Sequence, residues 1–254
     1  MTHNNRWILR PRPVPWARLR LFCFPYAGGA ASIFYPWCQG LPEFVEVCPI
    51  QLPGREARIG EPLFARMNYL LPMLVQAIRP YLDMPFALFG HSLGSLLAFE
   101  LARHLRKHCL PLPAQFFASG HQAPQVERLS SEMLHPLPEA AFIEKVREMN
   151  GTPEAVFQNE ELLRLFLPIL RADFTLAETY SYEAAPPFSC PITVFSGEQD
   201  PEVTEEGLDA WREQTTGRFK RYNFPGDHFF LHTEREELLK TLSNELKLFQ
   251  YAFA

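Results

Sequence analysis

Residues 86–102 read FALFGHSLGSLLAFELA, an apolar run that is interrupted at GHSLG and then continues with helical spacing. The segment FALF predicts a buried strand, and the residues after GHSLG predict a helix. Gly90 and Gly94 flank Ser92 in a G-x-S-x-G pattern, which is typical of a sharp strand-to-helix turn that exposes a serine hydroxyl. The alternative is a tight turn with a capping serine. The strand before and the helix after favour Ser92 as a nucleophile.

Short apolar runs alternate with longer helical patterns along the rest of the chain, which predicts an α/β fold with a doubly wound, mostly parallel sheet. The interval 120–189 has no strand pattern and carries two helical ones. We therefore expect a single domain over residues 1–254, with a helical lid inserted at about residues 121–189. The predicted strands are residues 19–24, 45–51, 86–89, 115–119, 192–196 and 219–224, and the predicted helices are residues 32–40, 65–82, 94–108, 203–215 and 233–251.

Composition excludes several classes of protein. The 254 residues carry a net charge of −5 and no basic block with interleaved aromatic residues, so we expect no nucleic-acid binding. The first residues, MTHNNRWILRPRPVPW, contain Arg and Pro where a secretory signal would need an unbroken apolar region. No later apolar segment reaches the length of a membrane span, so we expect neither a signal peptide nor a membrane span. The odd number of cysteines, with no CxxC pair, predicts no disulfide framework, no metal site and a cytoplasmic location. These cysteines are Cys23, Cys38, Cys48, Cys109 and Cys190.

A serine hydroxyl is a weak nucleophile, so a base must take its proton and an acid must orient that base. In folds with this turn, the chain order is Ser, then Asp or Glu, then His. Asp200 follows the apolar stretch ITVFSG, and His228 follows the last predicted strand. Both should lie in loops at the edge of the sheet that carries Ser92. We predict that these three residues form a catalytic triad.

Alternatives exist for both partners of the serine. Asp200 could be a helix cap or a turn residue, and His228 could be a solvated loop histidine. Three other carboxylates are weaker candidates for the acid, because one adjoins the histidine and two fall in helical patterns. They are Asp227, Asp173 and Asp209.

Acyl transfer through a serine also needs donors for the oxyanion of the tetrahedral intermediate. One should be the backbone N–H of Leu93, the residue after the nucleophile. The second should come from the loop FPYAGG at residues 24–29, where two glycines let the backbone approach a ligand. We predict the N–H of Ala27, with Tyr26 as the alternate donor. An ordinary glycine turn is the other interpretation of this loop.

The remaining histidines carry weaker signals. His104 and His108 share a helix face, but no third ligand accompanies them, so a surface pair is expected rather than a metal site. His91 is the variable residue of the turn. His121 follows a predicted strand near the same edge, where it could contact substrate or make a structural hydrogen bond.

The motifs FPYAGGAASIFYPW, QLPGREAR, GHSLGSLLAFELA, LPILRADF, SGEQDPEV and GDHFFL occur in this order over nearly the whole chain. Together they resemble the type II thioesterases, stand-alone α/β-hydrolases that accompany polyketide and nonribosomal peptide synthases. The resemblance implies an α/β-hydrolase fold. It also implies hydrolysis of stalled or wrong acyl groups held as thioesters on the phosphopantetheine arm of a carrier protein, without a cofactor of the enzyme's own. We expect the protein to be a monomer.

Two other functions remain open. The turn around Ser92 fits a general carboxylester hydrolase or lipase equally well, and a hydrolase fold can also bind a ligand without turnover. Docking of an acidic carrier protein would need a locally basic face. The candidates for such a face are Arg55, Arg58, Arg103, Arg106, Lys107, Arg218, Lys220 and Arg221.

Overall fold

A computed structural model describes residues 5–247 and 249–250. Within them, six parallel strands form one sheet in the order β2-β1-β3-β4-β5-β6. The predicted α/β class and parallel sheet are therefore confirmed. The strands are β1 (Leu19–Phe24), β2 (Val45–Pro49), β3 (Phe86–His91), β4 (Gln115–Ser119), β5 (Ile192–Gly197) and β6 (Phe219–Phe224).

Helices connect the strands, and several predicted helices are shorter or divided in the structure. The predicted helix 32–40 divides into a 3-10 turn and α1 on the two sides of Pro36, which has no N–H to donate. The predicted end of the last helix, Tyr251, lies outside the described residues. The helices are α1 (Trp37–Gly40), α2 (Met67–Ile78), α3 (Leu93–Lys107), α4 (Glu139–Glu148), α5 (Glu154–Phe157), α6 (Glu160–Glu178), α7 (Glu205–Asp209), α8 (Phe230–Thr233) and α9 (Arg235–Lys247), and 3-10 turns cover Ala31–Phe34, Glu56–Arg58, Arg79–Tyr81 and Ala210–Gln214.

Helices cover both faces of the sheet, which explains why its strands read as continuous apolar runs. Every residue of β1 to β5 is buried. Successive side chains point to opposite faces: Phe116 packs in the core cluster with Trp211, whereas Phe117 packs in the other cluster with Phe195. The edge strand β6 is only half-buried, in keeping with its more polar sequence FKRYNF.

The segment between β4 and β5 holds α4, α5 and α6, and its described residues contain no strand of the sheet. Phe142, Val146, Leu167 and Leu170 form a separate small core within it. The buried carboxylate of Glu178, at the end of α6, accepts hydrogen bonds from the backbone N–H groups at positions 134 and 135, at 2.8 and 3.0 Å. This carboxylate ties the start of the segment to its last helix. None of the described helices is long and apolar enough to cross a bilayer.

Removing a central aromatic ring should destabilise the sheet. Phe117 is fully buried, and its ring is stacked on Phe195 with the centroids 5.8 Å apart. We expect Phe117→Ala to lower the free energy of unfolding by about 3–5 kcal/mol, because it leaves a cavity that the neighbours only partly fill. Urea denaturation measures this loss. Trp16→Ala is the control, since Trp16 is 64% exposed and its loss should change stability by less than about 0.5 kcal/mol. Equal losses in the two variants would contradict the prediction.

Candidate active site

Ser92 lies between β3 and α3 in a strained backbone conformation. Its φ of 53° and ψ of −122° are unfavourable for a residue with a side chain. Two contacts with β4 hold it there. The Ser92 N–H donates to the carbonyl of Ser119 at 2.8 Å, and the Ser95 hydroxyl donates to Gly90 O at 2.7 Å while accepting from Ser119 N at 3.0 Å. Ser95 could not be identified from sequence, because its role depends on contact with β4.

The turn packs directly against the end of β1. A Cβ added at Gly94 would lie 2.1 Å from the carbonyl oxygen of Phe24, closer than any side chain can approach. Glycine is therefore required here by space. The loop that contains Ala27 begins at this contact, so Ser92 and that loop are held side by side.

Asp200 and His228 meet at the neighbouring part of the same edge. The Nδ1 of His228 lies 3.0 Å from Oδ1 and 2.9 Å from Oδ2 of Asp200. The Asp200 side chain is fully buried, and that of His228 is 11% exposed. Asp200 Oδ1 also accepts from the N–H of Glu202 at 2.9 Å, which holds the carboxylate in a local turn.

The loops after β5 and β6 are joined by their backbones, which explains why this acid and this base meet. Glu198 N donates to Phe224 O at 2.8 Å, and Gln199 N donates to Gly226 O at 2.9 Å. A Cβ at Gly197 would lie 2.2 Å from the carbonyl oxygen of Asp227, so the two loops are in backbone contact. This contact between the two loops places Asp200 beside His228, although they are 28 positions apart in the sequence.

The rival carboxylates have other partners. Asp227 accepts from Phe229 N at 2.8 Å, and Asp209 forms an ion pair with Arg221 at 3.3 Å. Asp173 lies within α6 and pairs with Arg55. The structure therefore brings Asp200, rather than any of these three, to the imidazole of His228.

Ser92 and His228 line one cavity of about 240 Å³. Ala27 and Tyr26 lie at the same wall, where the oxyanion donors are predicted. Leu93 is the first residue of α3, and the first N–H groups of a helix have no acceptor within it. Polar and apolar residues share the rest of the wall. The apolar ones lie on α4, α6 and the loop after β6, and sequence alone did not identify them. They are Val146, Leu170, Phe174 and Phe229.

The Tyr26 side chain contacts α8 and the loop that precedes it. Its hydroxyl lies 2.9 Å from Nε2 of His232, and its ring packs edge-on against Phe229. Burial raises the pKa of the Tyr26 phenol to about 12, so it stays protonated at neutral pH. Tyr26 thus braces the cavity wall beside the residue predicted to donate from its backbone.

His91 is a buried neighbour of the candidate base. Its Nδ1 lies 2.8 Å from the Ser119 hydroxyl, and its ring centroid is 5.1 Å from that of His228. Burial, with a contribution from the charge of His228, lowers the pKa of His91 well below its usual value. His91 therefore stays neutral and adds no positive charge beside the imidazole that must become cationic during acyl transfer.

The other histidines have structural surroundings. Nδ1 of His121 lies 2.6 Å from the carbonyl oxygen of Gln122, which agrees with a structural hydrogen bond. His104 lies in α3 and His108 directly follows that helix, with their ring centroids 6.1 Å apart. Within the described ranges, no three His, Cys, Asp or Glu side chains are grouped so that they could hold a metal ion.

The expectation of a basic docking face is wrong for two of its residues. Arg55 and Arg58 are only 4% and 5% exposed, because both guanidinium groups bind buried carbonyls and a carboxylate of their own chain. Other candidates are engaged as well: Arg103 pairs with Glu100, Arg106 donates to the Pro186 carbonyl, Arg218 and Lys220 pair with Glu245, and Arg221 pairs with Glu205.

The parallel sheet, a strained serine after a central strand, and an acid–histidine pair on the two loops that follow are typical of the α/β-hydrolases. The chain has this fold. It matches the thioesterase domain family over residues 19–246, and it belongs to that family. The chain is therefore a hydrolase of thioesters, and the resemblance to type II thioesterases is confirmed by its relatives.

Similar proteins come from biosynthetic pathways. The gramicidin S biosynthesis protein GrsT of Aneurinibacillus migulanus is 43% identical over 96% of this chain and 95% of its own length. The RedJ thioesterase from the prodiginine pathway of Streptomyces coelicolor is 40% identical, with a TM-score of 0.84 over 93% of this chain and 92% of that one. The type II thioesterase BorB from the borrelidin biosynthetic cluster is 37% identical, with a TM-score of 0.86 over 97% of this chain and 100% of that one.

Adding one methyl group at Gly94 should abolish activity. Because the new Cβ would overlap the Phe24 carbonyl, we expect Gly94→Ala to displace Ser92 and to lower kcat by more than about 100-fold. Thioester hydrolysis by the purified, folded variant measures this effect. Gly60→Ala is the matched control, since a Cβ there would have no heavy atom within 4 Å. Similar rates in the two variants would show that the close contact is not needed.

Proposed function

We propose that this chain hydrolyses acyl groups held as thioesters on the phosphopantetheine arm of carrier proteins, with Ser92, His228 and Asp200 as its triad. The observation that carries the proposal is the hydrogen-bonded pair of His228 and Asp200 in the same cavity wall as the strained Ser92. Support for the carrier substrate comes from the family and from relatives whose names place them in nonribosomal peptide and polyketide pathways.

In the first half-reaction, the Ser92 hydroxyl attacks the thioester carbonyl while His228 takes its proton. Asp200 holds the imidazole in the tautomer that accepts this proton and stabilises the imidazolium. The carbonyl electrons move onto oxygen, and the N–H groups of Leu93 and Ala27 donate to that oxyanion. The C–S bond then breaks, and His228 returns the proton to the departing pantetheine thiol.

The second half-reaction reverses the roles with water. His228 takes a proton from a water molecule, whose oxygen attacks the acyl-serine carbonyl. Collapse of the second tetrahedral intermediate breaks the ester bond, and the proton passes to Ser92. The products are the free carboxylic acid and the regenerated enzyme. Every step uses side chains and backbone groups of this chain and no cofactor of its own.

The segment from α4 to α6 is the proposed lid over the acyl group. Val146, Leu170 and Phe174 present apolar surface to the cavity, which suits the hydrocarbon part of an acyl chain. Ser92 lies at the carboxyl edge of the sheet beneath these side chains, where ligands of parallel sheets bind. Cytoplasmic location, a monomeric state and a single domain that includes this lid stay predictions.

The triad makes a quantitative prediction. We expect Ser92→Ala to lose activity by several orders of magnitude, and Asp200→Asn to lose a factor on the order of 10⁴ in kcat, because the imidazole is then held in the wrong tautomer. Steady-state hydrolysis of an acyl-pantetheine measures both. Asp209→Asn removes an exposed carboxylate from the outer surface and should retain wild-type kcat. Near-normal turnover by Ser92→Ala would rule out the covalent mechanism.

A comparison of three substrates tests the carrier-bound substrate. The kcat/KM should be highest for an acyl-carrier protein, lower for the same acyl group on pantetheine, and lowest for its nitrophenyl ester. Only the first offers both the carrier surface and the pantetheine arm, and the ester offers neither. Highest kcat/KM for the nitrophenyl ester would instead favour a general carboxylester hydrolase. Absence of turnover with all three would favour a binding protein.

A further inference from the structure

A buried ion pair lies behind the loop that contains Ala27. Asp173 of α6 is 2% exposed, and Arg55, in the loop after β2, is 4% exposed. Nη2 of Arg55 contacts Oδ2 of Asp173, and the same oxygen accepts from the N–H of Gly28 at 2.7 Å. One carboxylate oxygen thus joins a helix of the proposed lid, the loop after β2 and the loop after β1.

The guanidinium of Arg55 uses its remaining donors on backbone. Its Nε donates to Gly29 O at 2.8 Å, and its Nη1 donates to Pro53 O at 2.9 Å. Gln51 completes the network, since its amide donates to Arg55 O at 2.9 Å and accepts from Ala31 N at 2.8 Å. The chain from the loop after β1 to the start of the first 3-10 turn is therefore held at three points, by Asp173, Arg55 and Gln51.

This network adjoins the predicted oxyanion donor. Ala27 precedes Gly28 directly, so the bond from Gly28 N to Asp173 restrains the peptide that follows the donor residue. Leu170, one turn before Asp173 on α6, lines the cavity. It packs closely on Gly28, since a Cβ added there would lie 2.6 Å from Cδ2 of Leu170. The helix that contributes Leu170 to the cavity wall therefore also restrains the donor loop.

We infer that Asp173 and Arg55 are positioning residues that set the orientation of the Ala27 N–H and couple it to the position of α6. The inference rests on the proposed function, because it takes Ala27 as an oxyanion donor. A planar guanidinium that donates from all three of its nitrogens suits this role, because a lysine ammonium has its donors on one atom and could satisfy only part of the network. An acyl group that displaces α6 then lowers kcat by moving the donor, and not only the affinity for substrate.

The test compares Asp173→Asn, Arg55→Met and the milder Arg55→Lys with the wild-type protein. Loss of a correctly placed oxyanion donor lowers kcat about 10²- to 10³-fold, so we expect a fall of about 10- to 100-fold in kcat from displacing it, with KM for an acyl-pantetheine changed less than about threefold. Binding of an alkyl boronic acid gives a second readout, since its adduct with Ser92 is tetrahedral and occupies the oxyanion hole. Its affinity should fall in parallel with kcat/KM.

The control is another buried ion pair. Arg20 and Glu46 lie at the amino-terminal part of β1 and β2, away from the cavity, and their groups are 3.0 Å apart. We expect Glu46→Gln to lower the unfolding midpoint, as the Asp173 and Arg55 variants will, but to leave kcat and boronic acid affinity of the folded protein unchanged. This contrast separates positioning from stability.

The inference is wrong if every folded variant of the pair, Arg55→Lys included, keeps wild-type kcat and wild-type affinity for the boronic acid. The pair would then have a role in stability alone. A wild-type protein without thioesterase activity would contradict the proposed function instead. In that case the boronic acid affinities still test whether the pair orients the donor loop.

Discussion

At Gly94 and at Gly197, backbone atoms of another segment occupy the space where a side chain would begin. The first contact presses the serine turn against the end of β1, and the second presses the end of β5 against the histidine loop. Because parallel strands end at one edge, these two contacts join the loops after β1, β3, β5 and β6 in pairs at that edge. The strained backbone of Ser92 persists only because this packing, with the bonds to β4, determines it from several sides.

Charge is distributed unevenly around the site. Polar and apolar side chains line the cavity, and a buried carboxylate and guanidinium lie behind the loop that carries Ala27. Separating such a pair leaves an uncompensated charge in the interior, which is strongly destabilising. The conformation of the loop that carries Ala27 therefore depends on an ion pair between residues distant in sequence as well as on its own glycines. Because His91 is neutral, it does not place a positive charge beside His228 that would repel the imidazolium.

The sheet could be predicted from sequence because β1 to β5 are buried on both faces and most strands are bounded by glycine or proline. Ser92, Asp200 and His228 could be proposed because chain order and loop position constrain them. The role of Asp173 could not be deduced, because its partner Arg55 is 118 positions away and a helical pattern says nothing about which buried group an acid meets. For the same reason Arg55 and Arg58 were wrongly expected at the surface, since guanidinium burial depends on tertiary partners. The cavity residues Val146 and Phe229 likewise became visible only through packing.

The strand order has a consequence for synthesis of the chain. After β2 takes one edge, β3, β4, β5 and β6 are added to the opposite edge in the order in which they leave the ribosome. Chains emerging from a ribosome fold progressively from the amino terminus. The imidazole follows the last strand and is placed only when that strand has docked. A nascent polypeptide can thus build most of its core before it acquires any capacity to cleave its substrate.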